Sequence, residues 1–278
     1  MSDYSITLKP VYSQTVPTPE GLKLPDGWLL SWHQVATLEA LRHYDVVFNT
    51  AMTGDGKSLA AYLKAMTSCT SSLAMYPTNE LARDQEKQVQ RYKDEFKPEK
   101  DLQIYRLNAA ILEDFVSTNK LPSKQSGLVN LSNQAEILLT NPDIFHYIHD
   151  FRYLKRYRKA DKLKGENANK LFSKIDDNYN LFIFDEFHIF SSSQVASIFN
   201  AILLIKHTVP GKKILFLSAT PDELLQEFLL KSEISYKHIN PIQENAYRFS
   251  LCEGNWRQIS QPITLNFPKT LEPNLRSS

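Results

Sequence analysis

The residues best equipped for chemistry sit in the octet AMTGDGKS, residues 51–58, which follows at once on the apolar run DVVFNT at 45–50. Gly54 and Gly56 permit a tight turn whose backbone N–H groups point into one hollow. Lys57 adds an ammonium and Ser58 a hydroxyl at the start of a helix read from LAAYLKAM. A strand, a loop of free donors and a helix N-terminus make an anion cradle, and a lysine beside a hydroxyl suits a phosphate chain carrying Mg²⁺. Thr53, Gly54, Asp55, Gly56, Lys57 and Ser58 are therefore the candidate nucleotide-binding residues. The strict pattern GxxxxGK[ST] fails at its first position, where Ala51 stands. By itself the octet also fits a glycine-rich turn with a surface lysine.

A second signal decides between these. A phosphate-bound metal needs a carboxylate on a neighbouring strand end, and attack on a γ-phosphate needs a group that activates water. LFIFDEFH at 181–188 supplies an apolar strand ending in Asp185 and Glu186. Asp185 is the candidate metal carboxylate, alongside Ser58, and Glu186 the candidate general base.

Both motifs need strands to carry them. Runs at 45–50, 73–78, 103–108, 136–140, 181–186 and 214–220 are short and apolar, as suits strands buried on both faces. Helical patterns at 57–66, 80–92, 194–207 and 222–231 alternate with them. That alternation predicts an α/β fold with a mostly parallel central sheet flanked by helices. Residues 108–134 read as a helix plus a surface loop, 151–180 as a charged insertion, and the tail at 236–278 as a linker or edge strand.

The 278 residues are 42% hydrophobic and 23% charged, a composition that excludes disorder as the default. A net charge of +1 excludes wholesale attraction to nucleic acid or an acidic membrane, so such a partner must meet a local basic patch. With no signal-type N-terminus and no run near the roughly 18 apolar residues of a spanning helix, a cytoplasmic protein with no membrane partner is expected. Cys69 and Cys252 lack CxxC or His neighbours and suggest neither a disulfide framework nor a zinc site.

In order along the chain, these residues resemble the DExD/H-box helicases of superfamily 2, whose phosphate loop commonly begins with Ala. DEFH at 185–188 is similar to the DExH box, SAT at 218–220 to the motif linking hydrolysis to nucleic-acid engagement, and PTNELARDQ at 77–85 and TNPD at 140–143 to the backbone-gripping motifs. LSWHQ at 30–34 resembles the segment whose glutamine reads adenine, here Gln34. The resemblance implies a RecA-like P-loop NTPase lobe over 30–235, using ATP and Mg²⁺. Its catalytic residues would be Lys57, Asp185 and Glu186, with His188 coupling them to the nucleic-acid side. Pro77, Thr78, Asn79, Thr140, Asn141, Ser218 and Thr220 would face single-stranded DNA. TAMTGDGKS, FDEFH and the opening ITLKPVYS further resemble the helicase subunit of type I CRISPR systems, in particular the split type I-D form. That likeness implies recruitment by an effector complex with its guide RNA, and cleavage by a separate nuclease subunit.

The chain departs from the full family pattern in one respect: no QxxGRxGR-like segment supplies the transition-state arginine of a second lobe. A second RecA-like lobe in cis or trans is therefore expected, 1–29 is read as an N-terminal extension, and the isolated lobe is expected to be weak or inactive. The alternative function is an ATP-gated docking module that anchors a helicase to its effector complex. HYIHD at 146–150 places His146 and His149 within one helical turn, a poor metal site without further ligands. The insertion interleaves Arg152, Lys155, Arg156, Arg158 and Lys159 with Tyr153 and Tyr157. It can track a nucleic-acid strand by phosphate contacts and stacking, dock to an acidic partner, or form a solvated amphipathic helix.

Overall fold

The computed structural model describes residues 4–144, 177–208, 211–218, 223–250 and 254–267. The chain opens with β1 (Tyr4–Leu8), β2 (Tyr12–Val16), β3 (Leu30–Ser31), α1 (Trp32–His43), β4 (Val46–Asn49), α2 (Lys57–Ser68) and β5 (Ser72–Met75). It continues through α3 (Asn79–Phe96), β6 (Ile104–Arg106), α4 (Ala109–Thr118), α5 (Lys124–Gln134), β7 (Ile137–Thr140) and β8 (Leu181–Asp185). There follow α6 (Ser192–Thr208), β9 (Lys213–Leu217), α7 (Glu223–Lys231), β10 (Tyr236–Ile239), β11 (Tyr247–Arg248), β12 (Trp256–Gln258) and β13 (Ile263–Phe267).

Seven strands form one sheet in the order β10-β4-β9-β8-β5-β7-β6, and every neighbouring pair is parallel. Successive side chains on a strand face opposite ways, and both faces are filled. Val46, Phe48, Met75, Leu138, Phe184 and Phe216 join a core with residues of α4, α5, α6 and α7. Val47, Ala74, Leu139, Ile183 and Leu215 join a second core with α1, α2 and α3. Each such side chain other than Ala74 contributes about 1.5–3 kcal/mol on burial, which is why the strand segments read as largely apolar runs. Phe48, Phe216 and Phe184 stack across β4, β9 and β8, with centroids 5.2 and 4.9 Å apart. This ladder ties together the three strands whose C-terminal ends carry the chemistry.

The helix starts follow local rules. Thr78, Asn108 and Ser123 each accept a hydrogen bond from the backbone N–H three residues on, at 3.2, 2.9 and 3.1 Å, a cap worth about 1 kcal/mol. The segment read as a helix plus a surface loop forms two helices, α4 and α5, because Asn108 and Ser123 both supply caps.

The tail is built into the fold. β10 joins the sheet edge beside β4. β11 and β12 pair with β2, which also pairs with β3, in a four-stranded sheet beside the phosphate loop. β1 pairs antiparallel with β13. Among the described residues no helix is long and apolar enough to cross a membrane. The insertion cations, the histidines at 146 and 149, Thr220 and Cys252 lie outside the described residues.

Candidate nucleotide site

In an open parallel sheet ligands bind beyond the carboxyl ends of the strands. Here β4, β9 and β8 lie side by side, so the loop after β4, Ser218 after β9, and the acids ending β8 share one edge. Gly54 and Gly56 adopt φ of +88° and +84°, a left-handed conformation that side chains rarely take. At Gly56 an added Cβ would sit 2.7 Å from Gln34 Nε2, so glycine is required there on two counts. Gly56 also precedes α2 without any side-chain cap. The first N–H groups of α2 are thereby left to a ligand.

A cleft of about 510 Å³ opens over this loop, lined by Thr53, Gly54, Gly56, Lys57, Ser58, Asp185 and Glu186, with Gln85 and Tyr92 of α3 on its far wall. Lys57 Nζ lies 3.8 Å from Glu186 Oε1. Its ammonium is buried and ion-paired with Glu186 but makes no hydrogen bond, so its N–H donors stay unmet until an acceptor arrives. Burial pushes the Asp185 carboxyl up to about 6, assisted by the neighbouring Glu186 charge and opposed by Lys57. Glu186 takes the left-handed conformation, φ 48° and ψ 43°, costly for a non-glycine residue and a mark of functional sites. Its N–H donates to Asp185 Oδ1 at 2.9 Å, which fixes the two acids relative to one another.

His188 is no core histidine, since its side chain is 40% exposed. It stands between the two halves of the site, Nδ1 being 2.9 Å from Ser218 Oγ and 3.5 Å from Glu186 Oε2.

Three sequence candidates are placed differently from expectation. Asp55 does not line the cleft. Its carboxylate is fully buried on the opposite side of the loop, where Ser13, Ser31, Tyr247 and Arg257 donate to it. Gln34 is buried too. Its Oε1 accepts from Ser31 N–H at 2.9 Å and its Nε2 donates to Gly56 O at 3.0 Å, so in this conformation the amide holds the loop backbone. Thr140 is 2% exposed and donates its hydroxyl to Leu107 O at 2.9 Å, which makes it a structural tie between β7 and the end of β6.

Of the other proposed nucleic-acid residues, Ser218 lies after β9 beside His188, while Pro77, Thr78, Asn79 and Asn141 gather at the adjacent ends of β5 and β7. Asn141 Nδ2 donates to Asn79 Oδ1 at 2.8 Å, joining the loops after β5 and β7, with Pro77 and the exposed Thr78 alongside. Sequence reasoning missed Gln85, whose Oε1 is buried in the cleft wall without a partner. It also missed Tyr247 and Arg257. Gln85 closes the motif PTNELARDQ at 77–85, which gave it no role of its own, and nothing near the tail residues signals a role at the loop.

The family model for the DEAD/DEAH box helicase matches residues 31–228. No curated protein matches the chain. Among solved structures, the helicase MrfA bound to DNA and AMPPNP is similar in fold, with a TM-score of 0.58 and 18% identity, covering 85% of this chain and 32% of that one. The yeast DEAD-box splicing factor Prp28 is similar at a TM-score of 0.50 and 14% identity, over 75% of this chain and 45% of that one. The chain thus spans about a third of the length of MrfA. With its seven-stranded parallel sheet and flanking helices it has the RecA-like architecture of such domains, and it belongs to the DEAD/DEAH box helicase family.

Proposed function

We propose that this chain is the first motor lobe of an ATP-dependent DNA helicase or translocase. The observation that carries the reading is the buried ammonium of Lys57, without a hydrogen bond and 3.8 Å from Glu186, beside the two acids that end β8. The residues present fit ATP·Mg²⁺: Thr53, Gly54, Gly56 and Lys57 would hold the phosphates, and Ser58 and Asp185 the metal. When bound, ATP·Mg²⁺ supplies the transferable phosphoryl group and a divalent charge that offsets its negative charge. Lys57 neutralises phosphate oxygens at the loop. Glu186, turned toward Lys57 by its left-handed backbone, takes the proton of an attacking water. His188, within reach of both Glu186 and Ser218, ties the state of the base to the strand end beyond β9.

Single-stranded DNA is assigned to the face formed by Pro77, Thr78, Asn79 and Asn141. Its support is the cluster of exposed polar groups there, and MrfA is a family-like fold bound to DNA. The resemblance to the type I-D helicase subunit extends the reading: the lobe unwinds target DNA in CRISPR interference, recruited by a guide-RNA effector complex, with cleavage by a partner nuclease. The lobe at 30–235 would act with a second lobe that supplies the missing arginine, and alone it would turn over slowly.

ATP hydrolysis with and without single-stranded DNA tests this in wild type, Lys57→Ala and Glu186→Gln. Hydrolysis lost in both variants, with nucleotide binding kept in the glutamine variant, is the expected result. Binding without any DNA-dependent turnover, even with a second lobe added, favours the ATP-gated docking module. No binding of ATP·Mg²⁺ by the wild type overturns both readings.

A further inference from the structure

Two glycines at positive φ make the phosphate loop intrinsically loose, yet its side away from the cleft is seized by residues from the far end of the chain. Tyr247 accepts from Met52 N–H at 2.8 Å and donates to Asp55 Oδ2 at 2.9 Å, bridging the two flanks of the loop. Arg257 Nη2 reaches Asp55 Oδ1 at 2.8 Å, Asp55 O at 3.1 Å and Ser31 Oγ at 2.9 Å. His238 Nε2 lies 3.0 Å from Thr50 Oγ1 at the loop's entry. At Gly54 an added Cβ would be 3.6 Å from Ile259 O, so the tail backbone runs directly across the loop.

A fully buried carboxylate is tolerated only when its lone pairs are filled. Asp55 meets four donors: Ser13 and Ser31 before the loop, and Tyr247 and Arg257 after the motor core. Such an anchor over-determines the loop backbone and holds its strained glycine turns in place. A loop held in its binding conformation spares the ligand the ordering of that segment and so binds more tightly.

We infer that residues 236–250 and 254–259 form a clamp that presets the phosphate loop, with Asp55 as its buried anchor and Tyr247 and Arg257 as positioning residues for nucleotide binding. The inference deepens the proposed function and rests on it, since it makes the tail part of the nucleotide site. The segment read from sequence as a linker or edge strand is the element that shapes the loop.

The test uses the full chain and two readouts. In apo protein, hydrogen exchange of the amides at 52–58 should accelerate about tenfold in Arg257→Ala and several-fold in Tyr247→Phe, with amides of α3 unchanged. With AMPPNP·Mg²⁺ as probe, Kd should rise about tenfold in Arg257→Ala and recover in part in Arg257→Lys, which restores the charge without the guanidinium fork. Loop exchange and Kd at wild-type levels in both Arg257→Ala and Tyr247→Phe overturn the clamp. Should Arg257→Ala fail to fold, Tyr247→Phe, which loses only a hydroxyl, decides by the same readouts. A wild type that binds no AMPPNP sinks the nucleotide reading, while the exchange comparison still decides whether the tail holds the loop.

Discussion

Two charged side chains lie two positions apart in the phosphate loop, both buried, and their surroundings are opposite. Asp55 meets four hydrogen-bond donors. Lys57, on the cleft side, has no hydrogen-bond partner at its ammonium. A buried charge whose needs are met inside the protein is scaffold, whereas one left unmet is held in readiness for something from outside. The contrast separates the part of the loop that binds from the part that holds it in shape.

That contrast can be broken from either side, and the largest expected effect is on turnover. Glu186→Gln keeps the shape of the site and removes the base, so steady-state hydrolysis in the assembled motor should fall by about 10²–10⁴-fold, the usual worth of a positioned base. Nucleotide affinity, measured by fluorescence titration, should be retained.

Next comes stability. Asp55→Leu removes the carboxylate shared by the Arg257 guanidinium and three hydroxyls, leaving Arg257 only Ser31 Oγ and the backbone carbonyl of residue 55, and equilibrium unfolding in urea should show a loss of about 3–5 kcal/mol. Lys57→Met should do the reverse in the absence of nucleotide. It replaces a buried ammonium that makes no hydrogen bond, and whose carboxylate partner Glu186 is 3.8 Å away, by an apolar chain of similar length, so stability should hold or rise by about 1–3 kcal/mol. If both variants lose the same amount, the contrast between the two charges is wrong.

The aromatic ladder below the site offers a control that belongs to neither side. Phe216→Ala removes the central ring of the Phe48–Phe216–Phe184 stack and should cost about 3–5 kcal/mol in the same unfolding assay. Its effect on stability should not depend on whether nucleotide is present beyond the ordinary mass-action gain.

The smallest effects are on proton binding, and they have opposite signs on the two sides. His33, 1% exposed, has its pKa lowered by burial, only partly offset by Asp55. Its Nε2 lies 3.0 Å from Asp55 O, and Asn49 Nδ2 lies 2.9 Å from Nδ1, a pairing that suits the neutral ring with the proton on Nε2. A depressed histidine contributes stability above its ordinary value of about 6.5 and loses it as pH falls through the folded value. Asp185, raised to about 6, behaves conversely: the metal-free fold holds that proton more tightly than the unfolded chain does, so acidification through about 6 favours the fold at this group. Nitrogen-detected NMR should find His33 more fully neutral at pH 6.5 than an exposed histidine. Asp185→Asn should steepen the loss of stability on going from pH 7 to pH 5.

Much of this was legible in the sequence, for a physical reason. The six runs became β4, β5, β6, β7, β8 and β9; strands buried on both faces are mostly apolar and leave a local signature, whereas β6 at the sheet edge is only partly buried and carries Arg106. The motif residues Lys57, Ser58, Asp185 and Glu186 converge because their spacing follows strand ends, which are equally local. The clamp was illegible. β11 and β12 are two and three residues long, and both pair with β2 more than two hundred positions away. Asp55 reads as one more loop residue until Arg257, 202 positions on, is seen against it. Gln34 illustrates the same limit, since its motif suggested an adenine reader while the structure shows both ends of its amide engaged with backbone.

The most direct test of the central claim is thermal unfolding of the full chain with and without AMPPNP·Mg²⁺, in wild type and Lys57→Met. At a hundredfold excess over Kd the wild type should gain about 2.7 kcal/mol, and Lys57→Met should gain nothing under the same conditions. A wild type unmoved by millimolar AMPPNP·Mg²⁺, or a methionine variant stabilised as much as the wild type, would contradict the convergence of Lys57, Asp185 and Glu186 on one triphosphate.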